Sequence, residues 1–267
     1  MLVDHHCHLD FPQLAGERDE IIARARRAGV GLIVTISTRI RRQPEVTAIA
    51  EAYTDVFCSV GTHPHNAHEE LDLTVEDIVR LARHPKVVAI GEAGLDYYYK
   101  NSPPEAQAEG FRKHIAVARE TGLPLEIHTR DADADTGRIL AEEHAKGSFP
   151  AILHCFTGGR ELAMRALDLG LYISFSGVVS FKKSEALRAI AAEVPLDRLL
   201  VETDAPFLAP DPVRGKTNEP SFVVYTAATL AKVKGLSPAE LAQATTDNFF
   251  RLFGKVPRAA RAASTAA

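Results

Sequence analysis

The sequence predicts one closed barrel of eight βα units, and three observations predict it. Eight short, β-rich apolar runs recur along the 267 residues, at Leu2–Val3, Gly31–Ile36, Val56–Val60, Val87–Ile90, Pro124–Ile127, Ala151–Leu153, Leu171–Phe175 and Leu199–Val201. Longer segments with helical spacing and charged faces separate them, among them Glu17–Ala28, Pro104–Thr121 and Ser184–Ala192. Polar residues able to bind cations stand at the C-terminal ends of several runs, where a barrel of this kind places its active site. Alternation of strand and helix implies parallel pairing with right-handed crossovers, and eight repeats in this length close a TIM-type barrel.

Taken in order, the first run leads into His5-His6-Cys7-His8. The two-residue period of a strand points His6 and His8 to one face and His5 and Cys7 to the other. The second run carries no ligand-type residue, and the third ends in Gly61-Thr62-His63-Pro64-His65. The fourth is followed by Gly91-Glu92 and by Tyr97, Tyr98 and Tyr99, whose expected role is packing, although one ring could stack on a base. His128 and Arg130 follow the fifth run and His154-Cys155 the sixth; Cys7 and Cys155 are expected to pack behind the barrel wall. The eighth leads through Glu202 and Thr203 to Asp204, then to a loop with Arg214, Lys216 and Asn218. His68, His84, His114 and His144 fall in loops or on charged helices and are expected at the surface.

Four histidines and two carboxylates converging on one barrel mouth exceed the needs of a single catalytic ion, so two divalent ions are expected. His6, His8 and Asp204 are assigned to one ion and His128 and His154 to the other, with Glu92 bridging. Paired ions lower the pKa of an attacking water towards neutrality, and Asp204 is placed to take its proton. His63, His65 and Arg130 form a substrate-binding layer suited to an anion, and Glu202 is placed to orient a ligand or a water there.

The formal net charge of −4 argues against broad, sequence-independent duplex binding. The basic clusters Arg24, Arg26, Arg27 and Arg39, Arg41, Arg42 read as solvated surface. With 46% hydrophobic and 25% charged residues, three scattered cysteines and no long apolar run, the chain reads as a cytoplasmic protein with no membrane segment. One domain is expected over residues 1–256, with a frayed tail from 257 to 267.

The stretches His6-Cys7-His8, Gly61-Thr62-His63-Pro64-His65, Ile90 to Asp96, His128 to Ala132, Leu153 to Gly158, Val201 to Pro206 and Arg214 to Pro220 together resemble the TatD family of metal-dependent deoxyribonucleases. The resemblance spans about residues 2–254, whereas His-x-His alone would point only to the wider amidohydrolase-like superfamily. It implies hydrolysis of phosphodiester bonds in DNA, or RNA, by a metal-activated water, typically as a 3′-to-5′ exonuclease acting on single strands or 3′ ends. It also implies two divalent ions, Mg²⁺ or Mn²⁺ in use, with Zn²⁺ or Ni²⁺ accommodated by the same donors. His5 departs from the family's small or hydroxylated residue, and from strand alternation it is expected to face away from the metals. Two alternatives stand beside the nuclease: an amidohydrolase-type enzyme acting on small esters, lactones or cyclic amides, and a metal barrel that binds nucleic acid or protein without turnover.

Overall fold

The computed structural model describes residues 1–257 and Ala260; the rest of the expected tail lies outside the described residues. The strands are β1 (Leu2–Cys7), β2 (Val30–Thr35), β3 (Val56–Val60), β4 (Val87–Asp96), β5 (Leu125–Arg130), β6 (Ala151–Leu153), β7 (Tyr172–Phe175) and β8 (Leu199–Val201). Between and after them run α1 (Pro12–Ala15), α2 (Arg18–Arg27), α3 (Gln43–Glu51), α4 (Val75–Ala82), α5 (Pro104–Thr121), α6 (Asp133–His144), α7 (Arg160–Asp168), α8 (Glu185–Glu193), α9 (Val223–Lys234) and α10 (Pro238–Leu252). The eight strands pair in sequence order, all parallel. The circle closes just past β8, where Asp204 N donates to His6 O at 2.9 Å and His8 N to Ala205 O at 2.7 Å.

Local signals set the helix ends. Thr74 with Asp77, and Ser237 with Glu240, form capping boxes that satisfy the free N–H groups opening α4 and α10. Pro104 opens α5, and Gly122, left-handed at φ 69°, ends it.

Three strands run further than their apolar stretches. β1, β4 and β5 continue through His5-His6-Cys7, Gly91 to Asp96 and His128 to Arg130, with β4 and β5 still paired at Asp96 and Arg130. These polar residues stay in buried strands because they bond to one another, which removes the cost of leaving water.

Two apolar layers result. The larger lies between strands and helices and holds Cys7, Ile33, Ile90, Ile127, Leu153 and Val201 with the buried faces of the helices. The smaller joins Val3, Leu32, Phe57, Val88, Ile152, Tyr172 and Leu200, drawn from seven strands, to Phe249 and Phe253. Only the barrel interior brings seven strands together, so α10 and the residues just after it plug the barrel from below, on the side away from the strand C-termini. No helix among the described residues is long and apolar enough to cross a membrane.

His114 corrects one expectation, because it is buried at 2% exposure rather than displayed on α5. Its Nδ1 donates to Gly110 O at 2.7 Å and its Nε2 accepts from Thr62 N at 3.0 Å, which ties α5 to the chain leaving β3. Burial pushes its pKa from 6.5 down to about 4, so the fold holds the neutral ring. The unfolded chain binds the proton first: this stability is complete above pH 6.5 and is lost as pH falls towards 4, amounting to roughly 3 kcal/mol. Melting curves across that range should show His114→Gln losing less stability than wild type; parallel losses would remove His114 from the acid response.

Candidate metal centre

The strand alternation expected for His5 to His8 does not hold. Asp4 pairs with Ile33 and Cys7 with Thr35, three steps along β1 against two along β2, which is a β-bulge. Cys7 still turns outward into the helix layer and His8 inward. His5, however, also faces inward, beside its neighbour. His5 Nδ1 lies 3.0 Å from Glu126 Oε1 and His6 Nδ1 3.4 Å from Glu126 Oε2. His5 Nε2 lies 2.7 Å from Ser174 Oγ and 3.2 Å from Glu202 Oε2.

Above this layer the ligand-type residues gather around Glu92. Its Oε1 is 3.7 Å from Nε2 of both His8 and His63. Its Oε2 is 3.6 Å from His6 Nε2, 3.7 Å from His128 Nδ1 and 2.8 Å from His154 Nε2. Asp204 Oδ1 completes the group, 3.5 Å from His8 Nε2 and 3.9 Å from His6 Nε2. All six residues expected to hold metal are therefore brought together.

The donor set fits divalent cations. Ligands bonded at about 2.1 Å to one ion stand about 3.0–3.6 Å apart, close to most of these spacings. His6 Nε2 and His154 Nε2 are buried without a hydrogen-bond partner, the latter despite its approach to Glu92. One donor atom each from His6, His8 and Glu92 lie within 4.8 Å of one another. Glu92, Asp96, Glu126 and Glu202 are all buried in or beneath this cluster, a density of negative charge that calls for cations. Burial works to lower the pKa of His8, His128 and His154, yet neighbouring carboxylates hold all three up.

Three of the histidines carry a carboxylate on the far nitrogen. Glu126 serves His6, Glu202 serves His154 at 3.2 Å, and Asp96 serves His128 at 3.1 Å. Such carboxylates orient the ring and raise its basicity as a ligand. Burial would drive the His5 proton off, but the charges of and hydrogen bonds to Glu126 and Glu202 hold its pKa at about 10. His5 thus bridges two of the supporting carboxylates as a cation.

His63 differs from the others. Its Nδ1 accepts from His65 N at 3.0 Å, and burial holds its pKa well below the ordinary value. A neutral ring accepting at Nδ1 carries its proton on Nε2, which makes Nε2 a donor to a bound oxygen rather than a ligand. His65 is half-buried at the edge of the cluster and commits Nε2 to Asp96 Oδ2 at 2.9 Å. Arg130 lies with its guanidinium 4.0 Å from the Tyr98 ring centre. Glu202 is fully buried and accepts from Cys155 N at 2.8 Å as well as from His154, so it does not reach a substrate.

Two further expectations change. Cys155 is mostly but not wholly buried, at φ 41° with Sγ 3.0 Å from Ser176 Oγ. Tyr97 packs, donating to Asp135 Oδ2 at 2.9 Å, but Tyr98 and Tyr99 are exposed. The basic clusters are matched by acids as surface charges are, with pairs Arg24–Glu219, Arg26–Asp55, Arg39–Glu69 and Arg41–Asp72.

Sequence reasoning misses Asp4, Asp96 and Glu126. Asp4 accepts from Thr203 N and Oγ1, and Asn218 Nδ2 donates to Thr203 O and Phe207 O, so both brace the turn carrying Asp204. A carboxylate between Leu125 and Ile127, inside a parallel strand buried on both faces, is the one available signal for Glu126.

A family model described as TatD related DNase matches residues 3–254. The Escherichia coli K12 protein named uncharacterized metal-dependent hydrolase YcfH is 47% identical over 255 residues, covering 94% of this chain and 95% of its own. The Citrobacter rodentium protein named 3′-5′ ssDNA/RNA exonuclease TatD is 36% identical over 259 residues, covering 95% of this chain and 98% of its own. The crystal structure of YjjV, a TatD homolog of Escherichia coli K12, superposes with a TM-score of 0.88 at 30% identity, covering 96% of this chain and 98% of its own. With the model matched across almost the whole barrel, this chain belongs to the TatD-related DNase family of metal-dependent hydrolases.

Proposed function

We propose that this protein hydrolyses phosphodiester bonds of single-stranded DNA or RNA, removing nucleotides from the 3′ end with two divalent ions. The observation that carries the reading is the pair of donors beside the cation-binding cluster. His63 offers a neutral Nε2–H, and Arg130 stands over the Tyr98 ring with no carboxylate paired to it among the described residues, which leaves guanidinium N–H groups for phosphate oxygens. A tetrahedral, doubly substituted phosphate presents two non-bridging oxygens, enough for both donors and the cations together. The direction of attack follows the name of the Citrobacter rodentium relative.

When bound, the ions polarise a phosphoryl oxygen and lower the pKa of the attacking water. His6, His8, Glu92, His128, His154 and Asp204 hold them, and Glu126, Asp96 and Glu202 fix the rings of His6, His128 and His154. Asp204 takes the water's proton: its side chain is 15% exposed against 3% for Glu92, so it is the better placed of the two to meet solvent. His63 Nε2–H and the Arg130 N–H groups stabilise charge gathering on the phosphoryl oxygens.

The test uses metal-stripped protein, a 5′-labelled single-stranded oligonucleotide and a 5′-labelled duplex, with Mg²⁺, Mn²⁺ or Zn²⁺ restored singly. The expected result is a metal-dependent ladder shortening from the 3′ end of the single strand, absent in Asp204→Ala. Intact oligonucleotides in the presence of folded, metal-loaded wild type would remove the nuclease reading and turn attention to small esters, lactones and cyclic amides.

A further inference from the structure

Large apolar side chains exposed among the described residues are few, and three of the four, Tyr98 at 56%, Tyr99 at 53% and Phe207 at 46%, stand at the mouth of the barrel. Tyr98 and Tyr99 follow β4, whereas Phe207 follows β8, and in a ring of eight strands these positions lie opposite each other across the metal centre. Exposed aromatic rings confined to one functional rim mark a surface that is covered by something else.

The first group is built into the site. Tyr98 N and Tyr99 N donate to Asp96 Oδ1 at 3.0 and 2.9 Å, while Asp96 Oδ2 takes His65 and His128. One carboxylate therefore fixes the pair relative to a metal-binding histidine. The two rings meet edge to face at 4.9 Å, with Arg130 over both, 4.0 Å from the centre of Tyr98 and 4.8 Å from that of Tyr99. The opposite group is tied in by stacking: Phe11 lies 4.6 Å from His8, and Phe207 stands edge-on to Phe11 at 5.9 Å.

We infer that these rings form two nucleobase shelves, with the base on one side of the scissile phosphate stacking on one ring of the Tyr98–Tyr99 pair and the base on the other side resting on Phe207. The inference rests on the phosphodiesterase reading and adds to it where the bases sit. Each base has an apolar face that stacks on an aromatic ring whatever its identity, so the shelves bind without reading sequence. Arg130 joins both halves of a nucleotide, its charge held over the tyrosine pair and its N–H groups available to the phosphate. A base paired and stacked within a duplex cannot lie on either shelf without leaving its helix, which disfavours duplex.

The experiment measures binding rather than cleavage, by fluorescence anisotropy of a labelled, cleavage-resistant phosphorothioate pentanucleotide on the metal-loaded enzyme. Tyr98→Ala with Tyr99→Ala, and separately Phe207→Ala, are expected to weaken Kd about tenfold each, whereas Tyr99→Phe and Tyr98→Phe retain wild-type binding. An abasic pentanucleotide should bind wild type and alanine variants alike. If the alanine variants favour the base-bearing strand over the abasic one by the same factor as wild type, the shelves are overturned. Because no bond is cut, base-dependent binding without oligonucleotide cleavage sinks the nuclease reading and leaves the shelves, and cleavage with base-independent binding does the reverse.

Discussion

Hydrolysis is expected to fall about a thousandfold or more in Glu92→Ala, together with the heat resistance that added metal confers. Glu92 is the one carboxylate whose oxygens approach His6, His8, His63, His128 and His154, at 2.8 to 3.7 Å. Its loss leaves the two groups of histidines with no shared anion between them. A single misplaced donor in a preorganised site already costs about 10²–10³ in rate, and loss of the carboxylate common to both groups costs at least the upper figure. Metal at a thousand times its dissociation constant stabilises the fold by about 4 kcal/mol, a rise in Tm on the order of 10 °C for a chain of this size. Thermal scans of stripped and reloaded protein, run beside initial rates, check both effects. A variant within tenfold of the wild-type rate would mean that Glu92 does not join the two groups.

The second large effect is expected from Gly61→Ala, a methyl group added at a residue that is not itself a proposed ligand. A Cβ at Gly61 would lie 2.4 Å from Gly91 Cα and 2.6 Å from Gly91 N and C, all backbone atoms with no flexible end to yield. β3 and β4 must then part, at a cost of about 2–3 kcal/mol, or roughly 5–10 °C in Tm. Gly91 immediately precedes Glu92, so the same movement carries the carboxylate with it, and displacement of about 1 Å at a reacting centre costs on the order of 10² in rate. The expected signature is reduced kcat at temperatures well below the lowered Tm. Wild-type kcat in such a variant would show that the strain is absorbed elsewhere.

Much of the barrel and of the candidate metal centre is legible in the amino-acid sequence. Apolar runs locate all eight strands, because a parallel strand buried on both faces must be apolar nearly throughout, and the six ligand-type residues stand out as polar exceptions at strand ends. The runs do not show their own length. Once histidines and carboxylates pair with each other they no longer end a strand, so β4 continues to Asp96 and β5 to Arg130. Asp96 and Glu126 are hidden for the same reason, since their partners His128, His65, His5 and His6 come from other parts of the chain and no spacing along it connects them. His5 escapes the two-residue period because a bulge cancels it, and a bulge leaves no mark in composition. The burial of His114 is invisible in the sequence because its partners, Thr62 N and Gly110 O, are backbone groups, which every residue type carries alike.

The plug formed by α10 and the residues just after it bears on how the barrel reaches its closed form. Phe253 lies 6.0 Å from the His5 ring, Thr246 Oγ1 donates to Met1 O at 2.9 Å, and Asn248 Nδ2 reaches Leu199 O at 2.8 Å. The floor beneath the His5 bridge is thus supplied by a segment far from β1 along the chain. Contacts of such large sequence separation carry a high loop-closure cost and form slowly, so closure of the ring over a filled interior waits on the docking of α10.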